Sequence, residues 1–197
     1  MERRDFLKAL IAGSAVATPS IPALAGDLLA APNKAMPTLL VCQSDFPGAA
    51  PLGAAIAAAL HRAGGTNVVS IARPGQQLCL PAQIDALLAQ GRQGRIVGIM
   101  DDATAVVFQE IAAARGSGYL LQTQHRFAAD GVRHHCRLTG LAEAIAWSAP
   151  LDGGEAQLAQ LYADILTGRP PGNIGSHWPM ATDSTVHTSL VSFVLKA

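Results

Sequence analysis

Aromatic side chains are scarce in this chain, 5% of 197 residues with two Trp, two Tyr and five Phe, so its core has to be assembled mainly from Ala, Leu, Ile and Val. Charge is scarce too. Only 14% of residues are charged and the two signs cancel, 14 Lys+Arg against 14 Asp+Glu, while half of the residues are hydrophobic. Such a composition excludes intrinsic disorder and describes a packed globule. With no Lys/Arg cluster beyond the N-terminus, the basic footprint that nucleic acid and anionic membranes require is missing, and neither is expected as a partner. Nucleotide motifs are absent as well. The loop Asp45-Phe-Pro-Gly48-Ala-Ala-Pro-Leu-Gly53 follows neither G-x-G-x-x-G nor G-x-x-x-x-G-K-[ST], and Pro47 and Pro51 remove two N–H groups that a phosphate cradle would use. No cysteine pair has C-x-x-C or C-x-x-C-H spacing, so neither a thioredoxin-like site nor a c-type haem is expected. The three cysteines, Cys42, Cys79 and Cys136, leave two readings: a Cys42–Cys79 bridge, or three small buried hydrophobes.

What is present begins with the N-terminus. Met1-Glu-Arg-Arg-Asp-Phe-Leu-Lys-Ala is charged, Ala9 to Leu24 is uncharged and rich in small residues, and Ala23-Leu-Ala25 offers an A-x-A cleavage site before Gly26. A membrane span needs ~20 strongly apolar residues, and this stretch is interrupted by Gly13, Ser14, Thr18, Pro19, Ser20 and Pro22. The run Arg3-Arg4-Asp5-Phe6-Leu7-Lys8 resembles the twin-arginine (Tat) signal, departing from its pattern at Glu2, where Ser or Thr is preferred. That resemblance covers about the first 25 residues. It implies recognition of Arg3 and Arg4 by the Tat machinery, export in the folded state, cleavage after Ala25 and a periplasmic location. The mature chain would hold 11 basic and 12 acidic residues and no transmembrane span.

Three parts are expected: a signal peptide over 1–25, a Pro/Ala linker over 26–36, and one α/β domain over 37–197. In that domain, short apolar runs at Thr38–Cys42, Asn67–Ala72, Arg95–Met100 and Gly118–Gln124 suit strands buried on both faces of a parallel sheet. Between them lie helical segments. Pro51–Arg62 places Leu52, Ile56 and Leu60 on one stripe, Pro81 opens a helix ending at Gly91, and Asp101 or Asp102 caps one stopped by Gly116. This βα repetition predicts a three-layer α/β fold with a mostly parallel sheet of flavodoxin-like or Rossmann-like winding, extended by one or two antiparallel strands. After the Asp130-Gly131 turn, Val132–Thr139 alternates, with Val132, His134, Cys136 and Leu138 on one face and Arg133, His135 and Arg137 on the other. Helices over Leu141–Trp147 and Glu155–Leu166, a long loop over Gly168–Val186 and a final strand over His187–Leu195 complete the reading.

Ligands of open parallel sheets bind beyond the carboxyl ends of the strands. That rule selects a rim of Ser44, Asp45, Arg73, Asp101, Asp102, Gln124, His125 and Arg126, although each member also suits plain turn or capping duty. His125 could join His134 and His187 as a three-imidazole metal site, or serve as base to a Ser44 or Cys42 nucleophile. No motif spacing supports either arrangement. In the long loop, Trp178 suits a partner-binding anchor or a tuck onto the body. Two functional expectations follow: a non-catalytic periplasmic binding or accessory protein exported folded, alone or with a partner subunit, and a small metal-dependent or hydrolytic enzyme using His125 and the strand-end aspartates.

If twin-arginine routing holds, Arg3→Lys combined with Arg4→Lys strands the precursor in the cytoplasm. Cell fractionation checks this, and undiminished periplasmic protein in the double variant refutes the routing.

Overall fold

The structure is a computed structural model that describes residues 36–63, 67–139, 145–149, 154–167 and 186–196. The segments read as a signal peptide and linker, up to residue 35, and residues 168–185 of the segment read as a long loop, with His177 and Trp178, lie outside the described residues. Strands β1 (Thr38–Gln43), β2 (Val68–Arg73) and β3 (Arg95–Met100) alternate with helices α1 (Ala49–Arg62), α2 (Gly75–Leu78) and α3 (Pro81–Gly91). Then come α4 (Asp102–Ala114), β4 (Gly118–Ala128), β5 (Gly131–Leu138), β6 (Ile145–Ala149), α5 (Gly154–Thr167) and β7 (Val186–Lys196).

The local chemistry expected at the element ends is the chemistry found. Pro81 occupies the first turn of α3, where its missing N–H costs nothing. Of the two aspartates before α4, Asp101 is the N-cap and accepts from the Thr104 N–H at 2.7 Å. Gly116 ends the helix with φ +86°, a left-handed conformation that glycine adopts without a Cβ penalty.

All described strands join one seven-stranded sheet in the order β2-β1-β3-β7-β4-β5-β6. Strands β1 to β3 pair in parallel, and antiparallel pairing of β7 with both β3 and β4 leaves β4 running with them. Only β5 and β7 therefore run against the other strands. The fold is α/β, as expected, with a mixed sheet. The sequence order of apolar runs did not foretell that β4 is separated from β3 by the last strand of the chain.

Helices cover both faces. On one, α1 and α5 press Leu52, Ile56, Leu60, Leu158, Leu161 and Tyr162 onto Leu40, Val97, Leu121 and Val194. On the other, Leu78, Ile84, Leu87 and Phe108 meet Leu39, Val41, Ile96 and Phe193. Arg95, at the start of β3, reaches across to cap α5, donating from Nη1 to the carbonyls of Leu166 (2.9 Å) and Ile165 (3.2 Å). Two opposed faces also explain why Cys42 and Cys79 do not bridge. Cys42 lies beneath α1, where a Cβ on Gly53 would sit 2.5 Å from its Sγ, whereas the turn ending in Cys79 packs through Leu78 onto the opposite face. All three cysteines are free, and burial pushes the Cys42 and Cys136 thiols up to about 11.

One expected helix is replaced. Residues 145–147, the end of the segment read as helix over Leu141–Trp147, belong instead to β6, which pairs with β5 from Val132↔Ala149 to Cys136↔Ile145. The open edge of β5 offers a ladder of hydrogen bonds that outweighs a weak local helix preference. The remainder of that segment, 141–144, lies outside the described residues.

At the sheet centre, Gly98 and Phe193 are direct cross-strand partners, and a Cβ on Gly98 would overlap the Phe193 ring. The ring also meets Phe108 of α4 at a centroid distance of 5.6 Å. We expect Gly98→Ala to destabilise the protein by about 1–3 kcal/mol through overpacking, or roughly 2–4 °C of Tm per kcal/mol. Combining it with Phe193→Leu should cost less than the two single changes added together. Thermal melts of the three variants check this, and strict additivity would show that the glycine does not exist to admit the ring.

Candidate functional site

The strand-end rim divides into two places. At the ends of β1, β2 and β3 the chain closes on itself. Gln43 donates from Nε2 to Asp101 Oδ2 at 2.8 Å and accepts from the Asp101 N–H at 2.9 Å, a two-bond clamp across the point where strand order reverses. Asp45 Oδ1 accepts from the Gly75 N–H at 3.0 Å, and the Ser44 N–H donates to the Arg73 carbonyl at 2.8 Å. Arg73 itself donates to the Ala72 carbonyl. These hydrogen bonds fix the ionised form of both aspartates. Gly75 N–H, then Gln43, hold the Asp45 carboxyl below its ordinary range; burial alone would raise Asp101, but the Thr104 N–H and Gln43 bring it lower. A Cβ on Gly75 would lie 2.7 Å from Gln43 Nε2, so the crevice is filled by the protein's own groups. Ser44, Asp45, Arg73 and Asp101 are thus brought together, held in turn and capping contacts.

The remaining rim residues Gln124, His125 and Arg126 do not lie in a loop. Strand β4 runs on to Ala128, so these residues lie in mid-strand and alternate between faces. His125 points to the α1/α5 side and is completely buried. Its Nδ1 lies 2.7 Å from His134 Nδ1 on β5, its cross-strand partner. Its Nε2 lies 2.6 Å from Ser192 Oγ of β7, which is 2.6 Å from the Tyr162 hydroxyl of α5. Tyr162 also donates to Thr123 Oγ1 at 3.4 Å. This is a hydrogen-bonded chain through the core that ties three strands to a helix.

It is not metal-ligand geometry. Two imidazole nitrogens on one tetrahedral zinc, each bonded at about 2.0–2.1 Å, stand more than 3 Å apart, whereas 2.7 Å is a hydrogen-bond distance. The side chain of His187, the third imidazole of the expected set, lies outside the described residues. Among the described residues no three His, Cys, Asp or Glu side chains converge as metal ligands. Burial holds both histidines neutral, His134 down to about 4 and His125 well below its ordinary value, the latter lowered further by His134.

Gln124 and Arg126 point the other way, onto the face of β4, β5 and β6 that no described helix covers. There they line an open groove of about 910 Å³. Its floor is Gln122, Gln124 and Arg126 of β4, Arg133, His135 and Arg137 of β5, and Ala146 and Ser148 of β6. Asp102, Ala105, Val106 and Gln109 of α4 form one wall. Three arginines face one carboxylate, Asp102, whose Oδ2 accepts from the Ser189 hydroxyl. The alternation of Val132–Thr139 had placed Arg133, His135 and Arg137 on one side of a strand. What it could not supply was that this side stays open and continues the basic and amide side chains of β4.

A scan against protein-family models, a search of curated proteins and a search of solved structures each find no match for this chain.

The buried imidazoles set an acid limit on stability. Neutral in the fold and titrating near 6.5 when unfolded, they leave the folded state fully favoured above pH 6.5 and penalise it as pH falls toward about 4. We expect His134 alone to contribute about 3 kcal/mol to this loss. The aspartates do not compete for that window, since Asp45, Asp85 and Asp101 are all shifted below 3.8. Urea unfolding from pH 7.5 to 4 should show the decline, flattened in His134→Gln; a wild-type curve level over this range would refute the assignment.

Proposed function

We propose that this chain is a non-catalytic binding or accessory protein, exported folded by the twin-arginine route, and that it meets its partner through the cationic face of β4, β5 and β6 that no described helix covers. The observation that carries this reading is the groove itself. Basic and amide side chains line a broad open floor beside an apolar wall residue, Val106, that is 59% exposed. Interfaces are built in this way, with arginine and apolar groups side by side.

The enzymatic alternative rests on His125 as base with strand-end aspartates. Against it stand the complete burial of His125, the engagement of both its ring nitrogens, and its place on the face opposite Gln124 and Arg126. The aspartates are likewise engaged as cap and turn acceptors.

Purification of the protein from its host periplasm, followed by native mass measurement and elemental analysis, tests the reading. The expected result is a second protein in the complex and no stoichiometric transition metal. Arg137→Glu, on an exposed strand position, should release the partner without changing the melting temperature. A lone monomer holding stoichiometric copper, zinc or iron overturns the proposal.

A further inference from the structure

The spacing of charge in the groove narrows the partner's chemistry. Along β5, Arg133, His135 and Arg137 occupy alternate positions of one face, so successive side chains stand about 7 Å apart and the outer two about 14 Å. Arg126 lies directly opposite Arg133, and Arg137 opposite Gln122, so cationic groups mark both ends of the floor with His135 and Gln124 between them. Placing Arg126 across from Arg133 on the same face sets two like charges together, an arrangement that weakens a sheet. Among the described residues Arg126 makes only a hydrogen bond to Gln124 Oε1, at 3.3 Å, and Arg137 makes no ion pair.

A second feature of the same groove calls for a ligand. Gln109 of α4 is more than nine-tenths buried in the wall; its Oε1 accepts from Gln122 Nε2 at 3.4 Å, while its own Nε2 meets no acceptor. A buried amide donor without a partner is costly, and an acceptor laid along the floor would satisfy it.

We infer that the groove receives an extended acidic segment of the partner protein, lying along β5 with two carboxylates four residues apart, one to each cationic end. An extended chain repeats its side chains on one face every ~7 Å, matching the rows of the floor. A single small anion reaches one end only. The intervening backbone carbonyls supply acceptors for Gln109, and apolar side chains of the segment meet Ala105 and Val106. This inference rests on the binding-protein reading above and adds to it the class of ligand.

The test is fluorescence anisotropy of the full chain with labelled, end-blocked peptides made otherwise of Ser, Thr and Val. One carries two Glu four positions apart, one carries the same two Glu adjacent, and one carries Lys in their place. The spaced peptide should bind about tenfold more tightly than the adjacent one, lose affinity as salt rises, and lose about tenfold again in Arg126→Gln or Arg137→Gln. The Lys peptide should not bind. Equal affinity for spaced and adjacent Glu, affinity unchanged in both arginine variants, or preference for polyphosphate or single-stranded DNA over the peptide would overturn the inference. If peptides fail while the periplasmic partner still co-purifies and is still released by Arg137→Glu, only the ligand class falls; if no partner is found, the reading beneath it falls too.

Discussion

The last described strand, β7, holds the two halves of the described sheet together. Strand β7 is paired on both sides, with β3 from Arg95↔Lys196 to Met100↔Val191 and with β4 over most of its length. Its residues from Leu190 to Leu195 are all buried, so each face of the strand faces a core. Toward α3 and α4, Phe193 lies over Gly98 and against Phe108; toward α5, Ser192 links His125 to Tyr162. The parallel half, β2-β1-β3, and the antiparallel half, β4-β5-β6, have no other direct strand pairing. Register in β7 is strongly specified, because a slip of one residue would exchange Ser192 and Phe193 between faces.

That arrangement decides which surface is bare. Strands β1 to β4 are joined by helical connections, and these put α1 on one face and α3 and α4 on the other. Strands β4 and β5 are joined by a tight hairpin and β6 adds to them antiparallel, and no described helix lies between β4 and β6. The one described helix between β6 and β7 is α5, which packs beside α1. So the α3/α4 face of the second half receives no described cover, and its side chains are polar: Gln122, Gln124, Arg126, Arg133, His135 and Arg137. Antiparallel sheets tolerate one wet face as parallel sheets do not. The groove is thus a consequence of topology, with α4 as its wall because α4 is the last helix on that side.

Much of this could be read in the residues. The three βα units, Pro81 at its helix start, the aspartate cap before α4 and the alternation of β5 depend on local chemistry, and local chemistry is what a sequence carries directly. Pairing is different. His125 and His134 are nine residues apart and could be suspected of meeting across a hairpin, but their link to Ser192 depends on where β7 inserts. The extent of β4 was also concealed. Its second half, Gln122 to Ala128, sends Thr123 and His125 inward and Gln122 and Arg126 outward, but its first five residues are all polar, and polar residues following a buried run resemble a strand end and its loop. Gln124, His125 and Arg126 were grouped by sequence adjacency, whereas the pleat sends His125 into the core and its two neighbours into the groove. Residues 145–149 were drawn into a strand by an open edge that no local pattern displays.

The position of β7 also bears on when the chain can fold. Because β7 follows the six other described strands in sequence yet sits between β3 and β4, those two strands lack their shared partner until β7 has been made. Before that, Gly98 faces no aromatic ring and His125 has no serine, so each half exposes apolar or unpaired polar surface that the other would cover. Closing the sheet joins Gly98 to Phe193 and Thr123 to Ser192, pairs far apart along the chain and slow to find one another. A route that threads an unfolded chain would release such a polypeptide to complete this search outside the cytoplasm; a route that carries folded proteins lets the search finish first. The proposed twin-arginine export is compatible with that order of events: insert β7 between β3 and β4, and only then cross the membrane. The cationic face, exposed only on a sheet that β7 has closed, would then meet its partner as a finished surface.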